Sequence, residues 1–362
     1  MVTKEKILEV LKSVMFFPAK DNIVSLKMVK DIKVEGKKVS FTLMFHKKDE
    51  QYITVVKQSC VKAIEGHFGE DVDIKGNITA KFDDDEGLLP NVKNIIAIAS
   101  GKGGVGKSTV AANLAIALSK TGAKVALVDA DIYGPSIPMM FGVEGEKPMV
   151  KEVNGKTKVI PIERYGIKML SIGFFVDPNQ ALIWRGPLAS GALKQLFGDA
   201  LWGEIDYMVV DMPPGTGDIH ISLVQSVPVT AAIIVSTPQQ VAISDVKKAA
   251  NMFRVPSISV PILGLIENMS YFTPAELPDN KYYIFGKNGC EKFAKELHVP
   301  FLGQIPISES VCESGDSGKP IILEDNSPVS KALKEITDSI IKWVDIRNVQ
   351  IKPTERVKID PN

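Results

Sequence analysis

The residues best suited to chemistry form one glycine-rich run, Gly101-Lys102-Gly103-Gly104-Val105-Gly106-Lys107-Ser108, followed by Thr109. The run fits G-x-x-x-x-G-K-[ST], the pattern of a phosphate-binding loop, and it lies between a predicted strand and a predicted helix, as that loop requires. The glycines let the main chain wrap around a phosphate, so that N–H groups and the helix N-terminus face the anion. We therefore expect residues 101–109 to bind a nucleotide.

Two side chains of this loop have specific expected roles. Lys107 would reach the β- and γ-phosphates, and the Ser108 hydroxyl would ligate Mg²⁺. The alternative is a glycine-rich turn between strand and helix that binds no ligand, and the full motif in its proper context disfavours it.

Lys102 is a second lysine near the start of the loop. The pattern K-G-G-x-G-K-[ST] resembles the deviant-loop branch of P-loop ATPases, to which MinD, ParA, the arsenite pump ATPase and the nitrogenase iron protein belong. The resemblance implies that Lys102 contacts nucleotide across a dimer interface and that the working unit is a face-to-face homodimer. For Lys102 taken alone, the alternative is an ordinary solvated lysine.

Carboxylates follow two of the predicted strands. Asp129-Ala130-Asp131 ends one of them, and by resemblance to the branch Asp131 orients the attacking water while Asp129 contributes to the Mg²⁺ shell. Asp211 ends another strand, where an acid can hold Mg²⁺, often through water. The alternative for the first pair is two acids in a solvated loop.

Three further assignments concern the nucleotide. The Gly215 N–H, in a Pro-Gly segment, is expected to touch the γ-phosphate and sense its loss; the alternative is a simple turn. On resemblance alone, Asn268 reads the adenine edge and the region of Pro306 flanks the base. In-line attack of water on the γ-phosphorus would then depend on Lys102, Lys107 and Asp131 as the catalytic residues.

Five strings narrow the resemblance further. They are Val128-Asp129-Ala130-Asp131-Ile132-Tyr133-Gly134-Pro135-Ser136, Trp184-Arg185-Gly186-Pro187, Asp211-Met212-Pro213-Pro214-Gly215-Thr216-Gly217-Asp218, Ser236-Thr237-Pro238-Gln239-Gln240-Val241-Ala242 and Glu267-Asn268-Met269-Ser270. Together they resemble the Mrp, or ApbC-like, family of iron–sulfur cluster carrier ATPases over about residues 92–345, and residues 1–82 resemble more faintly the small iron–sulfur assembly domain that often precedes this ATPase. The resemblance implies ATP, Mg²⁺ and a [4Fe–4S] cluster as ligands, and apoprotein clients as partners.

The cysteines depart from that family. Its members carry a C-x-x-C pair after the Asn-Met-Ser segment, and two subunits pool their pairs around one cluster, but here the positions are Thr273 and Glu276. Cys290 and Cys312 would give a dimer four thiols, the number such a cluster requires, and they are the candidate iron ligands. The alternative is that both thiols are buried or inert.

The elements that must position these residues predict an α/β fold. From residue 94 onward, short apolar runs alternate with helical stretches, which is typical of a doubly wound, mostly parallel sheet covered on both faces. The predicted strands are Ile95–Ser100, Val125–Asp129, Tyr207–Asp211, Ala231–Thr237, Leu263–Asn268 and Phe301–Ile305. A helix is predicted over Thr109–Lys120 with a cap at Gly122, and Asn154-Gly155 predicts a hairpin.

Residues 1–82 predict a small α+β domain. It would comprise an amphipathic helix through Ile7 and Leu11, strands Met28–Val34 and Lys38–Phe45, a helix over Gln51–Phe68 and a last strand near Val72–Thr79. The acidic run beginning at residue 83 indicates a linker over 83–91, ahead of an ATPase domain over 92–345 and a polar tail over 346–362.

Composition excludes several classes of protein. Hydrophobic residues make up 45% of the 362, and 43 basic residues balance 43 acidic ones, so that no global field attracts nucleic acid or anionic lipid. Three scattered cysteines and the lack of a secretory signal favour the cytoplasm. We expect neither nucleic acid nor membrane as a partner.

Two other functions are alternatives to cluster carriage. A MinD- or ParA-type positioning ATPase needs a membrane-binding tail or a DNA-binding patch, but the apolar face of the last predicted helix, from Val329 to Val344, is explained more simply by docking on the sheet domain. An electron donor of the nitrogenase-reductase type would need a cysteine pair, and the sequence has none.

Overall fold

The computed structural model describes residues 2–45, 47–82, 88–153, 155–175, 186–256, 258–274 and 276–354. The chain divides into two compact units, Met1–Gly87 and Leu88–Asn362. Outside the described residues lie most of the predicted linker, Trp184 and Arg185 of one family string, and Asn154 of the predicted hairpin.

The first unit is an α+β unit built on a sheet of three strands in its described residues, in the order β3-β4-β5. Its elements are α1 (Lys4–Leu11), β1 (Met15–Phe16), β2 (Asp21–Asn22), β3 (Val29–Glu35), β4 (Lys38–Phe45), α2 (Ile53–Phe68) and β5 (Ile78–Phe82). The predicted helices and the predicted strand pair are confirmed, and Gly36 turns between β3 and β4 with φ +63°.

The prediction of the last strand of this unit was wrong in position. The strand begins at Ile78, while Val72 and Ile74 lie in turns closed by backbone bonds such as that from the Ile74 N–H to the Val72 carbonyl, 3.1 Å. Both side chains are buried, and their alternation with polar residues imitates the two-residue period of a strand.

The second unit contains an eight-stranded sheet within its described residues, in the order β10-β11-β7-β12-β6-β13-β14-β15. Its strands are β6 (Val92–Ala99), β7 (Val125–Asp129), β8 (Val150–Val153), β9 (Lys156–Val159), β10 (Ile162–Arg164), β11 (Ile167–Ser171), β12 (Ile205–Asp211), β13 (Ala231–Ser236), β14 (Ile262–Glu267) and β15 (Phe301–Gln304). Its helices are α3 (Lys107–Lys120), α4 (Ile137–Met140), α5 (Gly186–Gly198), α6 (Asp218–Ser226), α7 (Gln240–Arg254), α8 (Gly289–Leu297), α9 (Glu309–Asp316) and α10 (Pro328–Gln350).

Neighbouring strands of this sheet are parallel, except that β10 runs antiparallel to β11. The predicted α/β class is confirmed, as are all six predicted strands to within a few residues and the hairpin, which is the pair β8 and β9. The sequence analysis missed β10 and β11. β10 has only three residues and no buried side chain, so it lacks the apolar run that marks the other strands.

Two helices that pack against this sheet are α3, over β6, β7 and β12, and α10, over β14 and β15. α3 starts directly after the glycine-rich loop and ends where Gly122, with φ +92°, donates to the Ser119 carbonyl, as predicted. α10 begins at Pro328 behind a Ser327 cap and buries Val329, Leu333, Ile336, Ile340 and Val344, which confirms the predicted docking of that face. α10 continues past residue 345, to Gln350. No helix in the described ranges combines the length and hydropathy that crossing a bilayer requires.

Candidate functional site

The glycine-rich loop leaves the carboxyl end of β6 and turns into α3 through two residues in the left-handed region, Gly104 at φ +78° and Gly106 at φ +79°. Glycine adopts this conformation without steric cost. At Gly101 and Gly106, neighbouring residues also leave no room for a side chain. A Cβ at position 101 would lie 2.3 Å from the Asp245 carbonyl carbon, and one at position 106 would lie 2.2 Å from Asn268 Nδ2. The local sequence therefore fits this path of the backbone and few others.

A polar cavity of about 210 Å³ lies over this loop. It is lined by Ser100, by every residue from Lys102 to Thr109, and by Asp131, Ser136, Met140 and Pro214. The loop residues expected to bind nucleotide, Lys102 among them, thus share one cavity, except for Gly101, which does not line it.

Lys107 is the charged centre of the site. Its side chain is only 6% exposed, and its Nζ lies 2.6 Å from Asp211 Oδ1, 3.5 Å from Asp131 Oδ2 and 3.2 Å from Ser108 Oγ. The fold therefore brings together a lysine, a hydroxyl and two acids that are up to 104 residues apart in the chain. A buried cation is tolerated here because two carboxylates neutralise it.

Asp211 is fully buried at the end of β12. Burial raises the pKa of its carboxyl, and the ammonium of Lys107 opposes that rise. Its Oδ2 atom has no hydrogen-bond partner among the described residues. An unpartnered carboxylate oxygen near a serine hydroxyl, beside a phosphate cradle, is the kind of oxygen donor that Mg²⁺ takes together with phosphates and water. Asp211 and Ser108 thus fit the predicted metal site.

Asp129 lies opposite Asp211 in the register of β7 and β12 and is equally buried, but both of its oxygens are occupied. Oδ2 accepts from Ser171 Oγ (2.9 Å) and from the Ile137 N–H (3.2 Å), and Oδ1 accepts from the Asp131 N–H (3.2 Å). Burial, and then the charge of Asp211, raise the pKa of Asp129. These bonds suit it to positioning Asp131 and the start of α4.

Asp131 reaches into the polar cavity from the strand end. Its Oδ1 accepts from the Tyr133 N–H at 3.3 Å, and its Oδ2 faces Lys107. Its side chain is 11% exposed, against 0% for Asp211. Among these three acids, Asp131 is therefore the one that solvent in the cavity can reach.

The segment after Asp211 is fastened to the loop. The Gly215 N–H donates to the Ser100 carbonyl at 3.0 Å, and Gly215 has φ +88°.

His220, on the first turn of α6, was missed as a distinctive residue by the sequence analysis. It is 1% exposed, and the ring lies against backbone groups of Gly217 and Pro213, with no hydrogen bond of standard geometry to either ring nitrogen among the described residues. Burial lowers the pKa of His220 to about 4, so the ring is neutral.

A second, larger cavity of about 590 Å³ adjoins the first and shares Gly106, Thr109 and Met140 with it. Its wall is mainly apolar and includes Met269, Ile284, Phe285, Ile305, Pro306 and Ile307. Asn268 also lies in this wall, and its Nδ2 donates to the Val105 carbonyl at 2.8 Å. In this structure Asn268 therefore holds the phosphate loop, a contact that no local sequence pattern announces.

Cys312 lines the wall of this second cavity, whereas Cys60 and Cys290 do not. Cys60 on α2 and Cys290 on α8 are fully buried, whereas Cys312 on α9 is exposed. Cys290 Sγ lies 3.8 Å from the Thr237 carbonyl, and Cys312 Sγ lies 3.8 Å from Asp316 Oδ2. Within the described residues, no three His, Cys, Asp or Glu side chains form a set that could hold a metal ion.

Two family models match the chain. One, described as the NUBPL iron-transfer P-loop NTPase, matches residues 91–341, and the other, described as an iron–sulfur cluster assembly protein, matches residues 4–75. A curated relative named iron–sulfur cluster carrier protein, from Synechocystis, is 44% identical over 347 residues, covering 94% of this chain and 97% of its own. The iron–sulfur cluster transfer protein NUBPL of Dictyostelium discoideum is 46% identical, over 72% of this chain and 79% of its own.

Solved structures agree with this placement. The nucleotide-binding protein of Archaeoglobus fulgidus, in complex with ADP, aligns with a TM-score of 0.57 and 33% identity, covering 75% of this chain and 96% of its own. The cell division ATPase MinD of Pyrococcus furiosus aligns with a TM-score of 0.50 over 69% of this chain and 98% of its own. At 23% identity, that second likeness concerns the fold alone.

Proposed function

We propose, because the chain belongs to the NUBPL iron-transfer P-loop NTPase family, that it binds ATP with Mg²⁺, hydrolyses it as a homodimer, and uses this cycle to assist the transfer of iron–sulfur clusters to apoproteins or their assembly. The observation that carries the proposal is the meeting of Lys107 with Asp211 and Asp131 beside a glycine cradle. The adjoining apolar cavity is large enough for a base.

The residues of the site have distinct tasks in this proposal. Backbone N–H groups of the loop bind the phosphates, and Lys107 turns from the carboxylates to the β- and γ-phosphate oxygens. Ser108 and Asp211 hold Mg²⁺, with Asp129 supporting them from the neighbouring strand; the bound ion neutralises charge on the phosphates.

Asp131 accepts a hydrogen bond from the attacking water and orients it towards the γ-phosphorus. The Gly215 N–H, now on the Ser100 carbonyl, is in place to exchange that partner for the γ-phosphate. Pro306 and the apolar wall flank the base, and Asn268 borders it. Lys102, which lines the cavity over the loop, completes the partner subunit's site in the homodimer.

Replacement of the central lysine tests this function. We expect Lys107→Ala to lose both ATP binding, measured by calorimetry, and hydrolysis, measured by phosphate release, because Lys107 is the buried cation beside Ser108, Asp131 and Asp211. The matched control is Lys295→Ala, which removes a lysine that is 75% exposed and paired with Glu291. Hydrolysis near the wild-type rate in Lys107→Ala would refute the assignment of the site.

A further inference from the structure

The relatives are named as proteins that carry or transfer iron–sulfur clusters, and a cluster needs protein ligands. Either this chain or another protein must supply them. An iron–sulfur cluster is held by four protein ligands, as a rule Cys thiolates. The sequence has three cysteines, Cys60, Cys290 and Cys312, so that two copies of the chain own six thiols. Their surroundings decide how many of the six can reach iron.

Two of the three thiols are sealed inside the protein. Cys60 is packed in the core of the first unit among residues such as Ile64 and Phe41, and Cys290 in that of the second. Both are 0% exposed, and burial raises the pKa of both thiols, to about 12 for Cys60. Since the thiolate is the metal ligand, these sites disfavour iron both by access and by protonation.

Cys290 is further disfavoured by its neighbour. Its backbone N–H donates to Glu267 Oε2 at 2.8 Å, and the charge of Glu267 adds to the rise in the pKa of its thiol. Glu267 in turn accepts from Ser270 Oγ (2.6 Å) and Gln304 Nε2 (3.0 Å). An iron atom at Cys290 would have to break this buried network.

Cys312 is thus the one exposed thiol of each chain. A homodimer therefore presents two exposed thiols, which leaves two of four cluster positions unfilled. No group of three potential ligands forms elsewhere in the described residues to make up the difference.

We propose that this protein promotes cluster transfer without holding the cluster on its own cysteines, and that the thiolates come from a cluster-bearing donor protein and its acceptor. The proposal rests on the proposed function. Transfer is then an exchange of thiolates: as each iron–sulfur bond to the donor breaks and one to the acceptor forms, the incoming thiol gives its proton to the departing thiolate, and no electrons move. The nucleotide cycle drives the contact between the two proteins.

Reconstitution tests the absence of a cluster site. The wild-type protein, Cys290→Ala and Cys312→Ala are incubated anaerobically with ferrous iron and sulfide, desalted, and assayed for iron. We expect all three to retain well below the roughly four iron atoms per dimer of a bridging cluster. Retention of about four iron atoms by the wild type, lost in either variant, would overturn the proposal.

A transfer assay separates this proposal from the proposed function. The donor is a scaffold protein that carries a reconstituted [4Fe–4S] cluster on its own cysteines, and the acceptor is an apoferredoxin. With ATP, we expect the wild type and Cys312→Ser, which removes the thiol but keeps the shape of the cavity wall, to accelerate transfer several-fold and equally, and Lys107→Ala not to. Loss of acceleration in Cys312→Ser, with ATP hydrolysis intact, would overturn the proposal alone. A wild type that hydrolyses ATP but accelerates nothing would instead refute the proposed function.

Discussion

Buried polar atoms have different surroundings in two regions of the molecule: the sheet edge at Lys107, and the sites of the buried cysteines. Around Lys107, a cation and two acids are kept in the interior with one carboxylate oxygen unpartnered. Around Cys60 a weakly polar thiol is enclosed by apolar side chains, and the buried Cys290 lies beside polar groups that already have hydrogen-bond partners. Incomplete satisfaction of buried polar groups is expensive, so that it marks places where a ligand completes the set.

The difference teaches which of two expected activities is built into this chain. The nucleotide site has its cradle, its charges and its cavities in place, whereas the thiols serve as core residues, apart from Cys312. Free cysteine is among the residues most often buried, and it packs as a small hydrophobe. Membership of a family of cluster-transfer proteins therefore does not by itself make this chain the source of the thiolates that hold the cluster.

The largest effect is expected from removing the acid that balances Lys107. Asp211→Ala leaves a buried ammonium with only the more distant Asp131, and breaking a buried pair in this way costs about 3–5 kcal/mol. Chemical denaturation measures the loss. The matched control is Asp325→Ala, which breaks surface pairs with Lys120 and Lys334 and should cost far less, because water screens exposed pairs. Equal losses in the two variants would mean that the charged centre is not special.

We expect His220 to make the free energy of unfolding depend on pH. Its pKa is lowered to about 4 in the folded protein, from an ordinary value of 6.5, because the ring is buried. Below pH 6.5 the unfolded chain therefore binds a proton that the folded chain does not, and the free energy of unfolding falls as the pH drops towards 4. The full difference amounts to about 3 kcal/mol.

The test of this prediction is His220→Leu, which removes the imidazole. Its unfolding free energy should change less between pH 6.5 and 4 than that of the wild type. His67→Leu is the control, because that ring lies on the outer side of α2. A parallel pH profile in wild type and His220→Leu would contradict the prediction.

Asp131→Asn should separate binding from turnover. The amide keeps the shape of the side chain but accepts a hydrogen bond from water less strongly, so that hydrolysis should slow by about 100-fold with KM for ATP little changed. Steady-state phosphate release gives both quantities. A similar change at Glu204, an exposed acid paired with Lys124, should alter neither. Unchanged turnover in Asp131→Asn would remove this residue from the mechanism.

Much of this site was predictable from sequence because its signals are local. The glycine-rich run, the apolar strands and the acids at their ends each occupy a few consecutive residues, and parallel strands bring their carboxyl ends to one edge. The partners of these residues were not predictable. Ser171 ends β11, which the sequence analysis missed, and its bond to Asp129 joins residues 42 positions apart. The bond from Asn268 to Val105 joins residues 163 positions apart. Which oxygen of which aspartate stays free depends on such tertiary contacts.

The smallest effect separates the two kinds of cysteine. Cys60→Ser places a hydroxyl in a fully buried apolar site and should destabilise the protein by about 1–2 kcal/mol. Cys312→Ser makes the same exchange on an exposed face and should cost less than about 0.5 kcal/mol. Thermal or chemical unfolding of the two variants under reducing conditions gives both values. Equal losses of unfolding free energy in the two variants would mean that Cys312 is packed like a core residue. The chain would then have no exposed thiol to offer to a partner.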